Sequence, residues 1–79
     1  MARVLLFGRL ADQAGWRERL IAADDLGALR AALAGEDPRL GEALVAPGVQ
    51  VAVDKALVRG EARLNAQTEV AFLPPMSGG

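Results

Sequence analysis

The residues of this chain best suited to chemistry are Gly78 and Gly79, which follow Pro74-Pro75-Met76-Ser77. Neither glycine has a Cβ, so the pair adopts backbone angles closed to other residues and can thread a narrow channel. The carboxylate of Gly79 is unhindered and open to an activating enzyme. The proline pair is stiff and is expected to hold this segment clear of the fold. Residues 74–79 therefore read as a flexible Gly-Gly tail presenting a main-chain carboxylate, and residues 1–73 as the domain that carries it. Side-chain chemistry is scarce by comparison. The sequence has no Cys and no His, which removes thiolate and imidazole metal sites and histidine acid–base catalysis. Ser77 is the single serine and Tyr is absent. The expectation is a chain that is not an enzyme by itself and binds neither metal nor cofactor.

Such a tail needs a scaffold, and 79 residues suffice for one small domain. Hydrophobic residues make up 52% of the chain, aromatics only 4%, and the net charge is -1. That is too apolar and too nearly neutral for a disordered chain. No apolar run approaches the roughly 18 residues of a membrane span, and the start shows no signal-peptide pattern, so a cytoplasmic, membrane-free protein is expected. Val4-Leu5-Leu6-Phe7 before Gly8 reads as a buried central strand. Ala14-Gly15 gives a turn, and Trp16–Ala22 a second strand paired antiparallel with the first, with Trp16, Glu18, Leu20 and Ala22 on one side. Asp24-Asp25 supplies caps for a helix whose stripe is Leu26, Leu29 and Leu33. Gly27 is a local weakness in that helix, and Gly35 is placed to end it in a left-handed cap. Asp37-Pro38 repeats the start signal for a short second helix through Leu40 and Leu44, closed by Pro47-Gly48. Val49, Val51 and Val53 alternate as a strand, Asp54-Lys55 turns, and Ala56-Leu57-Val58 returns. Residues 59–68 read as loop with Leu64 inward. Glu69–Leu73 is the last strand, stopped by Pro74-Pro75.

Strands before and after one main helix make this an α+β domain, with the first and last strands side by side in the sheet and the helix across one face. Alternation divides the first strand into Val4/Leu6 and Leu5/Phe7, and the last into Val70/Phe72 and Ala71/Leu73. Both sets are apolar, so residue type does not decide which lies beneath the helix. Either loops or a minor helix cover the second face, or it meets a partner.

Three segments together, Val4–Phe7, Val51-Ala52-Val53 with Leu57-Val58, and Glu69-Val-Ala-Phe-Leu-Pro-Pro-Met-Ser-Gly-Gly, resemble the ubiquitin-like β-grasp sulfur carriers of the molybdopterin synthase small-subunit (MoaD) type. The resemblance spans the chain and is most specific in its last eleven residues. It implies a mixed sheet of about five strands with one main helix, plus a short second one, on one face. It also implies that an adenylating enzyme of the ubiquitin-activating type uses ATP to activate Gly79. A sulfur donor of the cysteine desulfurase or rhodanese type then yields a thiocarboxylate. Gly78, Ser77 and Met76 thread into a MoaE-like large subunit, where sulfur passes to cyclic pyranopterin monophosphate in a heterotetramer. Phe7, Leu5, Leu57, Leu73, Pro74 and Pro75 match the partner-facing surface, while Val4, Leu6, Val70 and Phe72 pack under the helix. Two positions depart from the pattern: relatives often have an aromatic at Leu73 and Asn at Asp54.

The basic residues are dispersed and nearly balanced by acidic ones, which argues against nucleic acid. Lys55 and Arg59 read as rim charges near the partner surface, and Trp16 as a core-edge side chain. Asp24-Asp25 reads as capping rather than metal binding. Sulfur carriers for thiamin or tRNA thiolation share the Gly-Gly end. A protein modifier conjugated through Gly79, or a small interaction domain with an inert end, is also compatible with it.

Overall fold

The structure, a computed structural model, describes residues 1–75. Its elements run β1 (Ala2–Leu6), α1 (Arg9–Ala14), β2 (Glu18–Ile21), α2 (Leu26–Glu36), α3 (Pro38–Leu44), β3 (Gln50–Val53), β4 (Ala56–Val58) and β5 (Glu69–Leu73). The strands form one mixed sheet in the order β2-β1-β5-β3-β4. Strands β1 and β5 lie side by side in parallel, and every other neighbouring pair is antiparallel. This is the ubiquitin-like β-grasp arrangement.

Alternation places Val4, Leu6, Val70, Phe72 and Val51 on one face of the sheet. There they join Leu10 of α1, Leu26, Leu29 and Leu33 of α2, and Leu40 and Leu44 of α3 in one core. Phe72 is wholly buried at its centre. Leu64 turns inward from the long loop and is buried too. Trp16 packs at the core edge, with the Arg19 guanidinium 5.1 Å from its ring centroid.

Four local readings change. Residues Arg9–Ala14 form a helix where only a turn at Ala14-Gly15 was expected. Six residues are too few to show a helical period, and it is Leu10 and Ala11, pressed into the core, that hold the helix. Gly15 then ends it in the left-handed conformation, φ 85°. Second, α2 runs straight through Gly35 to Glu36. Asp37 is the punctuation instead: its N–H closes α2 on the Leu33 carbonyl, and its carboxylate accepts from the Leu40 N–H to open α3. Third, β2 is shorter than expected, so Trp16 lies outside it and does not share a face with Leu20. The fourth concerns Gly27. A Cβ there would stand 2.8 Å from Glu61 Oε2, the far end of a flexible side chain, so the glycine lets that carboxylate approach without shifting.

The start of α2 consequently has its exposed donors met from two directions. The Leu26 N–H donates to the Ala62 carbonyl (2.9 Å), the Gly27 N–H to Glu61 (3.0 Å), and the Ala28 N–H to Asp25 Oδ1 (2.7 Å). The 59–68 loop is thereby fastened to the helix. The turn between β3 and β4 has φ 49° at Asp54 and 71° at Lys55, as a two-residue hairpin with right-handed strand twist requires. Asp54 Oδ1 also accepts from the Glu69 N–H at 2.9 Å, binding that turn to the start of β5.

The N–H groups of Ala62 and Gly27 hold the Glu61 carboxyl below the usual carboxylate range. A carboxyl lowered in the folded state stabilises above its unfolded value and loses that contribution as pH falls through its lowered one. Urea midpoints should therefore fall between about pH 6 and about pH 3, and Glu61→Gln should flatten that acid limb. An identical slope in the variant would show that Glu61 contributes nothing to it.

Candidate functional site

The sheet face away from the helices carries the second set of alternating residues. Register aligns Leu5, Ala71, Ala52 and Leu57 in a row across β1, β5, β3 and β4. Leu5 and Leu57 thus stand three strand spacings apart, about 14 Å. Phe7 and Leu73 lie farther toward the end where β5 leaves the sheet, Leu73 opposite Gln50 of β3. Phe7 is 43% exposed and Leu57 62%, while Leu5 and Leu73 are half-buried. Ala71 and Ala52 are buried although all three helices pack on the other side. Their short side chains sit in the floor between larger neighbours, so the surface is a shallow apolar dish rather than a ridge.

The other end of the same face is charged. Arg3 of β1 bonds Glu69 of β5 and lies 3.7 Å from Glu18 of β2. The Glu69 hydrogen bond, then the charge of Glu18, raises the Arg3 guanidinium above its ordinary value. Arg3 and Glu18 are exposed and Glu69 is half-buried, and pairs open to solvent in this way add little to stability. Lys55 lines an open cleft of about 400 Å³ at this charged end, with Arg3, Asp54 and Glu69. It is therefore at the opposite pole from Phe7, in the turn that leads to Leu57.

Where β5 ends, the two prolines do not stand clear of the fold. A Cβ on Gly8 would come within 3.0 Å of Pro74 Cγ, and one on Gly48 within 2.9 Å of Pro75 Cβ. Pro74 and Pro75 are half-buried in consequence. Pro75 also borders a cleft of about 240 Å³ with Leu10, Ala43, Ala46 and Val49. The stiffness of the pair is thus used against the protein surface. The seats were hidden in the sequence because both contacts are made by glycines distant in the chain; Pro47-Gly48 showed only a turn.

The structure therefore brings Leu5, Phe7, Leu73, Pro74 and Pro75 to one end of the sheet and keeps Leu57 on the same face at its edge strand. Ala52 and Ala71 belong to that surface and were missed, although small residues at strand spacing were the available signal. Met76, Ser77, Gly78 and Gly79 lie outside the described residues. Chemically, the described part offers an apolar platform beside the point at which the chain departs, flanked by Glu18 opposite Leu5 on β2. Among the described residues no helix is long and apolar enough to cross a membrane.

Known proteins match both the sequence and this geometry. The ThiS family matches residues 4–79. The molybdopterin synthase sulfur carrier subunit of Escherichia coli (strain K12) is 35% identical over 81 residues, covering all of both chains. The solution structure of small archaeal modifier protein 1 from Methanosarcina acetivorans has the same fold, with TM-score 0.87 at 21% identity over 99% of this chain and 95% of that one. The crystal structure of small archaeal modifier protein 1 from Haloferax volcanii gives TM-score 0.80 at 26% identity, over 99% and 98%.

The two phenylalanines of the chain make a matched test of its two faces. Phe72→Ala should cost about 3–5 kcal/mol, as for a core aromatic. Phe7→Ala should cost under about 1 kcal/mol, as surface changes do. Chemical denaturation of both variants checks this, and comparable losses would contradict the open-face assignment of Phe7.

Proposed function

The chain belongs to the ThiS family, and from that premise we propose that it is the sulfur-carrier small subunit of a molybdopterin synthase. The observation that carries this reading is the 35% identity over full length with the Escherichia coli carrier subunit. The apolar dish beside the departing chain suits it. In this reading the domain docks and the main chain reacts, so the missing His and Cys are no handicap.

The steps proposed are these. An adenylating enzyme of the ubiquitin-activating type transfers AMP from ATP to the Gly79 carboxylate and releases pyrophosphate. Activation replaces a poor leaving group by a good one, and so divides a difficult substitution into two easier ones. The persulfide of a cysteine desulfurase- or rhodanese-type donor then displaces AMP to give an acyl disulfide, and a dithiol reductant cleaves its S–S bond, becoming a disulfide and leaving the thiocarboxylate. The domain docks through Phe7, Leu5, Leu57 and Leu73 on a MoaE-like large subunit. Met76, Ser77 and Gly78 thread into that subunit, and sulfur passes to cyclic pyranopterin monophosphate. The dithiolene product needs two sulfurs, which fits a heterotetramer with two carriers, in the cytoplasm. The chain itself contributes no catalytic side chain and holds no cofactor.

A second reading is a protein modifier, in which Gly79 is joined to a lysine of a target. The 26% identity and TM-score 0.80 with the Haloferax volcanii modifier favour it. Both readings begin with the same adenylate. Carriers for thiamin or tRNA thiolation differ from the first reading only in the acceptor of the sulfur.

Intact-mass measurement after incubation with ATP, the adenylating enzyme and a sulfur source should show a gain of about 16 Da, oxygen exchanged for sulfur. Deletion of Gly79 should abolish that gain and leave the melting temperature unchanged. With purified large subunit, the charged chain should make molybdopterin. Gly79-dependent conjugates on other proteins, without molybdopterin formation, would favour the modifier. Molybdopterin formation by the deletion variant would refute the mechanism.

A further inference from the structure

The connection between α3 and β3 does more than join them. The Val49 N–H donates to the Ala46 carbonyl at 3.2 Å across Pro47-Gly48, and Gly48 has φ 89°. Proline at the second position and a positive φ at the third make this a type II turn, which takes Gly at that third position. The turn thus demands glycine for its backbone. The tail demands it again for space, since Pro75 Cβ, Cγ and Cα would lie 2.9, 3.1 and 3.7 Å from a Cβ on Gly48.

Gly8 makes the companion contact, with φ 56° and Pro74 Cγ 3.0 Å from its would-be Cβ. The two seats differ in stiffness. The Pro74 atom is the tip of a ring that can repucker, whereas the Pro75 atoms include Cβ, fixed to the main chain. Proline locks φ at about −65°, so the orientation of the Pro75 ring is coupled to the direction of the chain through it. A ring resting on a hydrogen-bonded turn cannot tilt without moving that chain.

We infer that Gly48 is a positioning residue for the carboxyl-terminal segment: the Pro47-Gly48 turn is the seat on which Pro75 rests, and it sets the heading with which the chain leaves the domain. This rests on the proposed activation of Gly79. Gly48 is not one of the residues assigned to docking, although Pro75, which rests on it, borders that surface. A Cβ on Gly48 changes the heading of the chain rather than a docking side chain, so it slows the chemical step more than it weakens binding, because misplacing a reacting group by about 1 Å can cost on the order of a hundredfold.

The carrier is a substrate in this reaction, which makes the test sharp. Loss of folded carrier raises its apparent KM and leaves kcat unchanged. A misdirected tail lowers kcat and leaves KM unchanged. With an adenylating enzyme that activates the wild-type chain, Gly48→Ala should lower kcat for adenylation at least about tenfold with KM within about twofold. In a Pro75→Gly background, where Cβ and the ring are gone, Gly48→Ala should cost less than about twofold, since coupled residues do not add. An equal loss in both backgrounds, or a rise in KM alone, overturns the inference.

The wild-type chain offers a second measurement that needs neither variant nor enzyme. Gly48 α-protons should show a nuclear Overhauser effect to the Pro75 ring, and its absence also overturns the inference. A wild-type chain that accepts no AMP while showing this effect would instead count against the proposed function.

Discussion

The interaction on which this molecule depends is the parallel pairing of its first strand with its last. Strands β1 and β5 have no turn to bring them together, so their pairing carries the entropy cost of closing nearly the whole chain. What repays it is the row of side chains beneath: Val4 and Leu6 beside Val70 and Phe72, all fully or almost fully buried. Everything else is arranged around that pair. β2 extends it on one side, β3 and β4 on the other, and three helices seal the same face. Because β5 is central, its end is supported on both sides, by Phe7, which donates to the Phe72 carbonyl, and by Gln50. A chain leaving from there has a defined point of departure.

Glycine carries much of the finer construction, at places where another backbone or carboxylate must approach. Gly27 admits Glu61 to the start of α2. Gly41 lies so close to Ala34 that a Cβ would stand 2.5 Å from the Ala34 Cβ, which lets α2 and α3 pack tightly. Gly48 admits Pro75. In each case a residue that weakens local structure taken alone allows a contact from a distant part of the chain.

That pattern also explains what could be read in the sequence. The last strand, the Asp54-Lys55 turn, the inward Leu64 and the Asp37-Pro38 start are local signals, and all four appear in the structure. The assignment of Leu5, Phe7 and Leu73 to the uncovered face came from family resemblance, since alternation could not choose between two apolar sets. Helix α1 was illegible because Leu10 and Ala11 become a helix face only when a core exists to bury them. The continuation of α2 past Gly35 and the approach of Glu61 at Gly27 are illegible for a related reason. Propensity measures what a residue does for its own helix, and not what its missing side chain does for Glu61. Of the candidate site, the apolar dish could be read and the seat of the tail could not, since the latter is a meeting of segments far apart in sequence.

The turn at Asp54-Lys55 has a consequence for reactivity. Lys55 is the single lysine of the chain, against eight arginines, so it holds the only ε-amine, and guanidinium groups remain protonated and poor as nucleophiles. Because β3 runs antiparallel to β5, that amine sits beside Glu69, where β5 begins. Pro75 lies past the far end of that strand, whose five residues span about 13 Å. The hairpin thus sets that amine at one end of β5 and the departing chain at the other. As the one lysine of the chain, the exposed Lys55 is where an amine-directed label would mark the pole opposite that departure.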